Sequence, residues 1–286
     1  MAIATLAAMV LFLFSGVVFL PESPAAVFPQ ITDIQTTDII DQTHSAIPAS
    51  AIHDIPGKTV VGSLAFVIDD AGNNLGDLTP FLDFPGPLTI AVLPGLRNTA
   101  EAARLIRSAG KELFLHQPME SISGSYPGPG AVYTGMTEDD IRLIINRNLD
   151  EVWPVAGMNN HEGSKVSMDE DIMKIVLEIC RERGIIYLDS RTTADTTAPR
   201  AARNLNMFIM ERDIFLDNEQ NRGSIIYYLN AGLEKAGQQG SAVMIGHTFT
   251  RELAPVLTEF YQGWLDQGYA LLTVSEMAGS GIRRVR

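Results

Sequence analysis

The chain has 286 residues, 46% hydrophobic and 19% charged, which suits one sizeable domain with an appended segment. Its net charge of −13 repels polyanions, so nucleic acid is not an expected partner. A single cysteine, Cys180, excludes an internal disulfide; within a helical pattern it reads as a buried, inert thiol.

Residues 2–20 carry no charge and almost no polar side chain. At ~1.5 Å per residue the run is long enough to cross a ~30 Å hydrocarbon core, and Pro21, Glu22, Ser23 and Pro24 end it. Residues 1–20 therefore read as a membrane anchor or a secretory signal peptide. Either places the remainder of the chain outside the cytoplasm, in the periplasm or cell envelope, and tethered to the inner membrane if the segment is not cleaved. Residues 21–57 mix Pro, Thr, Asp, Ser and Gln without a sustained period and read as a linker, with His44 and His53 solvated.

A globular domain is expected over residues 58–286, where strand-like and helix-like segments alternate. Residues 60–68 form an apolar, β-branched strand ending in Asp69 and Asp70. A second strand covers 88–93, a helix 99–108 with Gly110 as its stop, and a short strand 113–115 that runs into His116. Thr137 caps a helix over 137–149. A strand at 155–158 leads to His161, and a long amphipathic helix fills 167–183. The strand at 185–188 ends in Asp189, and one at 214–216 ends in Asp217. Helix 224–237, strand 242–245 leading to His247, helix 251–267 and a closing strand at 269–274 complete the pattern. Such alternation predicts an α/β fold with a mostly parallel sheet of about seven strands, closed or nearly closed as a barrel. No glycine-rich dinucleotide turn or phosphate-loop lysine is present, which argues against a nucleotide cofactor.

Chemistry-bearing residues gather where strands stop. Asp69-Asp70, His116, His161, Asp189 and His247 each follow an apolar run, and in parallel α/β sheets those ends share one rim. Three imidazoles beside paired carboxylates fit a hydrolytic metal site: about three His or carboxylate ligands, a base for water and an acid for the leaving group. Asn159 and Asn160, beside His161, are suited to orienting a ligand or binding sugar hydroxyls. Glu120 has three open readings: ligand, orienting group or surface charge. No Gly-x-Ser-x-Gly elbow occurs, which argues against a serine hydrolase.

The strings Leu-Ala-Phe-Val-Ile-Asp-Asp-Ala-Gly, His-Gln-Pro-Met-Glu, Gly-Met-Asn-Asn-His-Glu-Gly-Ser, Tyr-Leu-Asp-Ser-Arg-Thr, Phe-Leu-Asp-Asn and Ile-Gly-His, spread over residues 60–277, resemble the divergent polysaccharide deacetylase family. That family is a branch of the polysaccharide deacetylase (NodB-homology) superfamily. The resemblance implies a distorted (β/α) barrel that uses a divalent metal, most often zinc, to remove acetyl groups from a polysaccharide or oligosaccharide. By position it implies that Asp69 is the base, Asp70 and His116 are metal ligands, and His247 is the acid. Residue 120 is Glu where the larger superfamily has a second histidine ligand, so His161 becomes the candidate for that place. Asp189 or Asp217 is then expected to hold an imidazole in its working tautomer. The alternative is an envelope-tethered glycan-binding or scaffold module that keeps the fold without turnover.

Overall fold

The computed structural model describes residues 60–280. The expected leader and linker, with His44 and His53, lie outside them; among the described residues no helix is long and apolar enough to cross a membrane. Strand β1 (Gly62–Ala71) is followed by α1 (Leu75–Leu82), β2 (Thr89–Val92), α2 (Thr99–Ser108), β3 (Glu112–Met119), α3 (Glu138–Val152), β4 (Gly157–Glu162), α4 (Glu170–Arg183) and β5 (Ile186–Asp189). Then come α5 (Ala198–Asn204), β6 (Met210–Glu211), β7 (Ile214–Phe215), α6 (Arg222–Gln239), β8 (Ser241–His247), α7 (Leu253–Asp266), β9 (Tyr269–Leu271) and α8 (Val274–Gly279).

All the ladders are parallel, in the order β6-β5-β4-β3-β2-β1-β8-β7. One edge of β1 pairs with β8 along Ser63 to Asp69. The other edge is shared: β9 takes Gly62 to Leu64 and β2 takes Val67 to Ala71. Between β6 and β7 lie only Arg212 and Asp213. The Arg212 N–H donates to the Asp189 carbonyl and the Asp213 N–H to the Val243 carbonyl, so this segment steps from the β5 side to the β8 side. The sheet thus curls into a distorted (β/α) barrel whose last gap is bridged by covalent chain.

Two apolar faces explain why the strands read as continuous hydrophobic runs. Leu64, Phe66 and Ile68 of β1 pack outward in the large cluster formed with the helices. Ala65 and Val67 face inward with Ala91, Phe114, Leu188, Val243 and Ile245. Val274 and Met277 of α8 join this inner cluster and close the end at which the strands begin. Glu112 at the start of β3 holds α8 there, accepting from the Val274 N–H (3.0 Å) and the Thr89 hydroxyl (2.6 Å). Gly157 of β4 is needed for close packing: a Cβ there would lie 2.2 Å from the Phe114 ring.

Among the described residues there are nine strands, against the seven or so expected. Strand β3 runs on through His116 and Pro118, and β4 extends through His161, beyond the apolar cores at 113–115 and 155–158. Residues 269–274, expected as one strand, split: β9 stops at Leu271, and Thr273 starts α8 with a capping box. Cys180 is buried in α4, and burial pushes its thiol pKa well above the ordinary value.

Candidate metal centre

Alternation along the strands carries four side chains to the rim directly. Asp69 continues the inward series Ala65, Val67, and His116 follows Phe114 by one full repeat. Asn159 and His161 share the inward parity of Gly157 on β4, and the register pairs His116 with Asn159. Asp69 pairs with His247 on β8. Asp70 would by parity face outward, but the β1–β2 register shifts between Ile68 and Ala71, and Asp70 is left-handed at φ 64. This kink, which an aspartate tolerates better than most residues, turns the second carboxylate to the side of the first.

Three donor atoms converge. Asp70 Oδ1 lies 3.2 Å from His116 Nε2 and 2.9 Å from His161 Nδ1, and the two nitrogens are 3.1 Å apart. Ligands held about 2.1 Å from one zinc ion sit about 3.0 to 3.4 Å from each other, so the triangle has the size of a coordination face. Asp70 Oδ1 is buried and accepts no well-formed hydrogen bond from the protein. A buried carboxylate oxygen left so, facing two imidazole nitrogens, is a donor set suited to a divalent cation. Of the three residues, His161 sits nearest solvent, its side chain 22% exposed against 2% for His116.

Asn159 sets the tautomer. Its Nδ2 donates to Asp69 Oδ1 at 2.9 Å, so its Oδ1 faces His116 Nδ1 at 2.8 Å and must accept there. His116 therefore carries its proton on Nδ1, and the Nε2 lone pair is aimed at Asp70 and His161. Burial opposes ionisation of Asp70, but when His116 and His161 carry protons facing it they outweigh burial and hold its pKa far below the carboxylate range. Burial pushes Asp69 the other way, upward, against the pull of His116 and His247.

His247 lies across β1 from this triangle. Its Nδ1 is 3.0 Å from Asp217 Oδ1, and its backbone N–H donates to Asp217 Oδ2 at 2.8 Å. The Thr250 hydroxyl donates to the same Oδ2 at 2.6 Å. Burial opposes protonation of His247, but the Asp217 carboxylate prevails and raises its pKa to about 9.

These contacts bear on the orienting carboxylate and on Glu120. Asp217 is the partner of an imidazole. Asp189 is not: Leu188 faces the barrel interior, so Asp189 points the opposite way and accepts from the Arg191 N–H (2.8 Å) and the Thr196 hydroxyl (2.8 Å). This corrects the expectation that offered Asp189 beside Asp217 as the carboxylate holding an imidazole in the catalytic site. Glu120 clamps loops: it accepts from the Thr134 N–H and hydroxyl and pairs with Lys165 Nζ at 2.7 Å. Lys165 and Thr134 hold its carboxyl down, at a pKa of about 2. Phe215 and Phe249, which stack near the His247 ring, and Arg212, whose guanidinium sits over Phe215, were not singled out from the sequence. Only the closeness of Phe249 to His247 in the chain offered a signal.

A parallel barrel with an Asp-His-His triangle at the strand ends defines the class as a deacetylase-like barrel. The chain belongs to the divergent polysaccharide deacetylase family, whose family model matches residues 66–278. It is 31% identical over 198 residues to the uncharacterized protein YibQ of Escherichia coli, a stretch that covers 69% of this chain and 62% of that one. The chain thus spans less than two thirds of that relative. The crystal structure of an uncharacterized protein, ATU2773 from Agrobacterium tumefaciens, shares the fold at a TM-score of 0.70 and 20% identity, covering 77% of this chain and 90% of that one. A structure of the T48 deacetylase with substrate has a TM-score of 0.50 at 12% identity, covering 78% and 94%.

Proposed function

We propose that this protein is a metal-dependent hydrolase that removes acetyl groups from a polysaccharide or oligosaccharide in the cell envelope. The observation that carries the reading is the triangle of Asp70 Oδ1, His116 Nε2 and His161 Nδ1, with an unsatisfied buried oxygen at one corner and Asp69 and His247 alongside. Asp70, His116 and His161 would hold the ion, and zinc suits two nitrogens and one oxygen. Bound there, such an ion supplies Lewis-acid polarisation of an acyl carbonyl and acidifies water.

The chain's own groups account for the protons. Asp69 spends one oxygen on Asn159 and keeps Oδ2 3.7 Å from His116 Nε2, beside the triangle, where it can take a proton from attacking water. Its raised pKa brings it closer to the working range of a general base. His247 donates its Nδ1 proton to Asp217, which leaves Nε2–H to protonate the leaving amine or alkoxide as the C–N or C–O bond breaks. With a pKa of about 9 the ring is charged near neutrality and able to serve as that acid. Acetate and the free sugar amine or hydroxyl are the products.

The test is acetate release from N-acetylated and O-acetylated oligosaccharides by the zinc-loaded protein. Asp69→Asn and His247→Gln are each expected to lower kcat by at least about 100-fold, in the range of general acid–base contributions. Wild-type protein that binds zinc stoichiometrically yet releases no acetate from any such substrate would contradict the hydrolase and leave the binding-module alternative.

A further inference from the structure

The surroundings of His247 carry an apolar element that proton transfer does not require. Two phenyl rings stack near its imidazole: Phe215 at 5.9 Å and an interplanar angle of 23°, and Phe249 at 5.1 Å and 18°. The two rings differ in setting. Phe215 packs against the barrel interior and carries the Arg212 guanidinium 3.7 Å from its centre. Phe249, in the segment between β8 and α7, is 46% exposed.

That exposed ring is also held in place. Thr248 donates its N–H to the Asp69 carbonyl (3.0 Å) and its hydroxyl to the Asp70 carbonyl (3.2 Å). On the other side, Thr250 donates its hydroxyl to Asp217 at 2.6 Å. Both neighbours of Phe249 are therefore tied to the backbone or side chains of the site. An apolar ring kept in water beside the acid forgoes the gain of burial unless something covers it.

Asp217 takes Nδ1 of His247, so a leaving group can be met only at Nε2. Phe249 stacks on the face of that same imidazole, so it stands close to the place of a group that receives the proton. A group with a heteroatom at its edge and an apolar C–H face beside it would satisfy both features at once, and a pyranose ring has that shape. We infer that Phe249 is a specificity-determining platform on which the sugar ring bearing the acetyl group stacks as it leaves. The inference rests on the proposed deacetylase reading, which it extends to the leaving-group side.

The experiment is isothermal titration of the zinc-loaded full chain with penta-N-acetylchitopentaose and with an O-acetylated xylo-oligosaccharide, using wild type, Phe249→Leu and Phe249→Trp. For at least one saccharide, Phe249→Leu is expected to weaken binding at least tenfold and Phe249→Trp to restore it to within about threefold of wild type. Unchanged melting temperatures would exclude a folding defect. A role confined to shielding His247 would not distinguish leucine from tryptophan in this way. Equal affinities in wild type and Phe249→Leu, equal losses in both variants, or no saccharide binding by wild type would overturn the inference. Acetate release is followed in parallel: Phe249-dependent binding without release refutes hydrolysis but keeps the platform, and release with Phe249-independent binding does the reverse.

Discussion

Asn159 decides which nitrogen of His116 is left to bind, because one amide spans His116 and Asp69 and each end admits one role. Asn159→Ala is expected to weaken zinc binding by about 10- to 100-fold, the usual effect of losing an orienting partner, as read in a competition titration with a chelating dye. The Asp217–His247 pair gives a second residue-level expectation. His247 has a folded pKa of about 9, above the ~6.5 of an unfolded imidazole, so its contribution to stability is full below ~6.5 and is lost as pH rises through about 9. Wild-type urea stability should therefore fall between pH 6.5 and 9.5, and Asp217→Asn should flatten that part of the curve. In acetate release, the alkaline limb of wild type is expected near pH 9 and should move down by about two units in Asp217→Asn, as its imidazole returns toward ~6.5. An alkaline limb that stays in place would remove His247 as the acid.

At the scale of elements, Gly157 on β4 lies against Phe114 on β3 and sets how close these two strands come beneath the candidate ligands. Gly157→Ala is expected to cost about 1–3 kcal/mol by overpacking, measured as a lower urea midpoint at unchanged slope. Strands of this barrel were legible in the sequence because both of their faces are apolar, and the helices because their caps and periods are plain. Elements without either signal were not: β6 spans only Met210–Glu211, α1 contains Pro80, and α5 is short. The site was legible to the extent that His116, His161 and His247 follow apolar runs. Choosing between Asp189 and Asp217 was not possible, since a strand buried on both faces gives no alternation from which to read which side chain points inward. Here Leu188 takes the inward place, and Asp189 is turned away. The left-handed turn at Asp70 was equally hidden, because Asp-Asp-x-Gly specifies no register shift by itself.

For the whole molecule, a barrel of parallel strands puts side chains as far apart in sequence as Asp70 and His247 on one rim, and α8 closes the opposite end around Glu112. A ligand that binds only the folded barrel stabilises it by about 2.7 kcal/mol at 100 times its Kd, which for a domain of this size is a rise of about 5–10 °C in Tm. That linkage allows folding and coordination to be read from one sample. The most direct measurement is the zinc stoichiometry and Tm of the purified full chain, compared with the His116→Ala/His161→Ala double variant. The account predicts one zinc per wild-type chain with a chelator-reversible rise in Tm, and a folded double variant that has lost both. Zinc content and Tm shift that are the same in wild type and a folded double variant, or a wild type that binds no divalent ion, would contradict it.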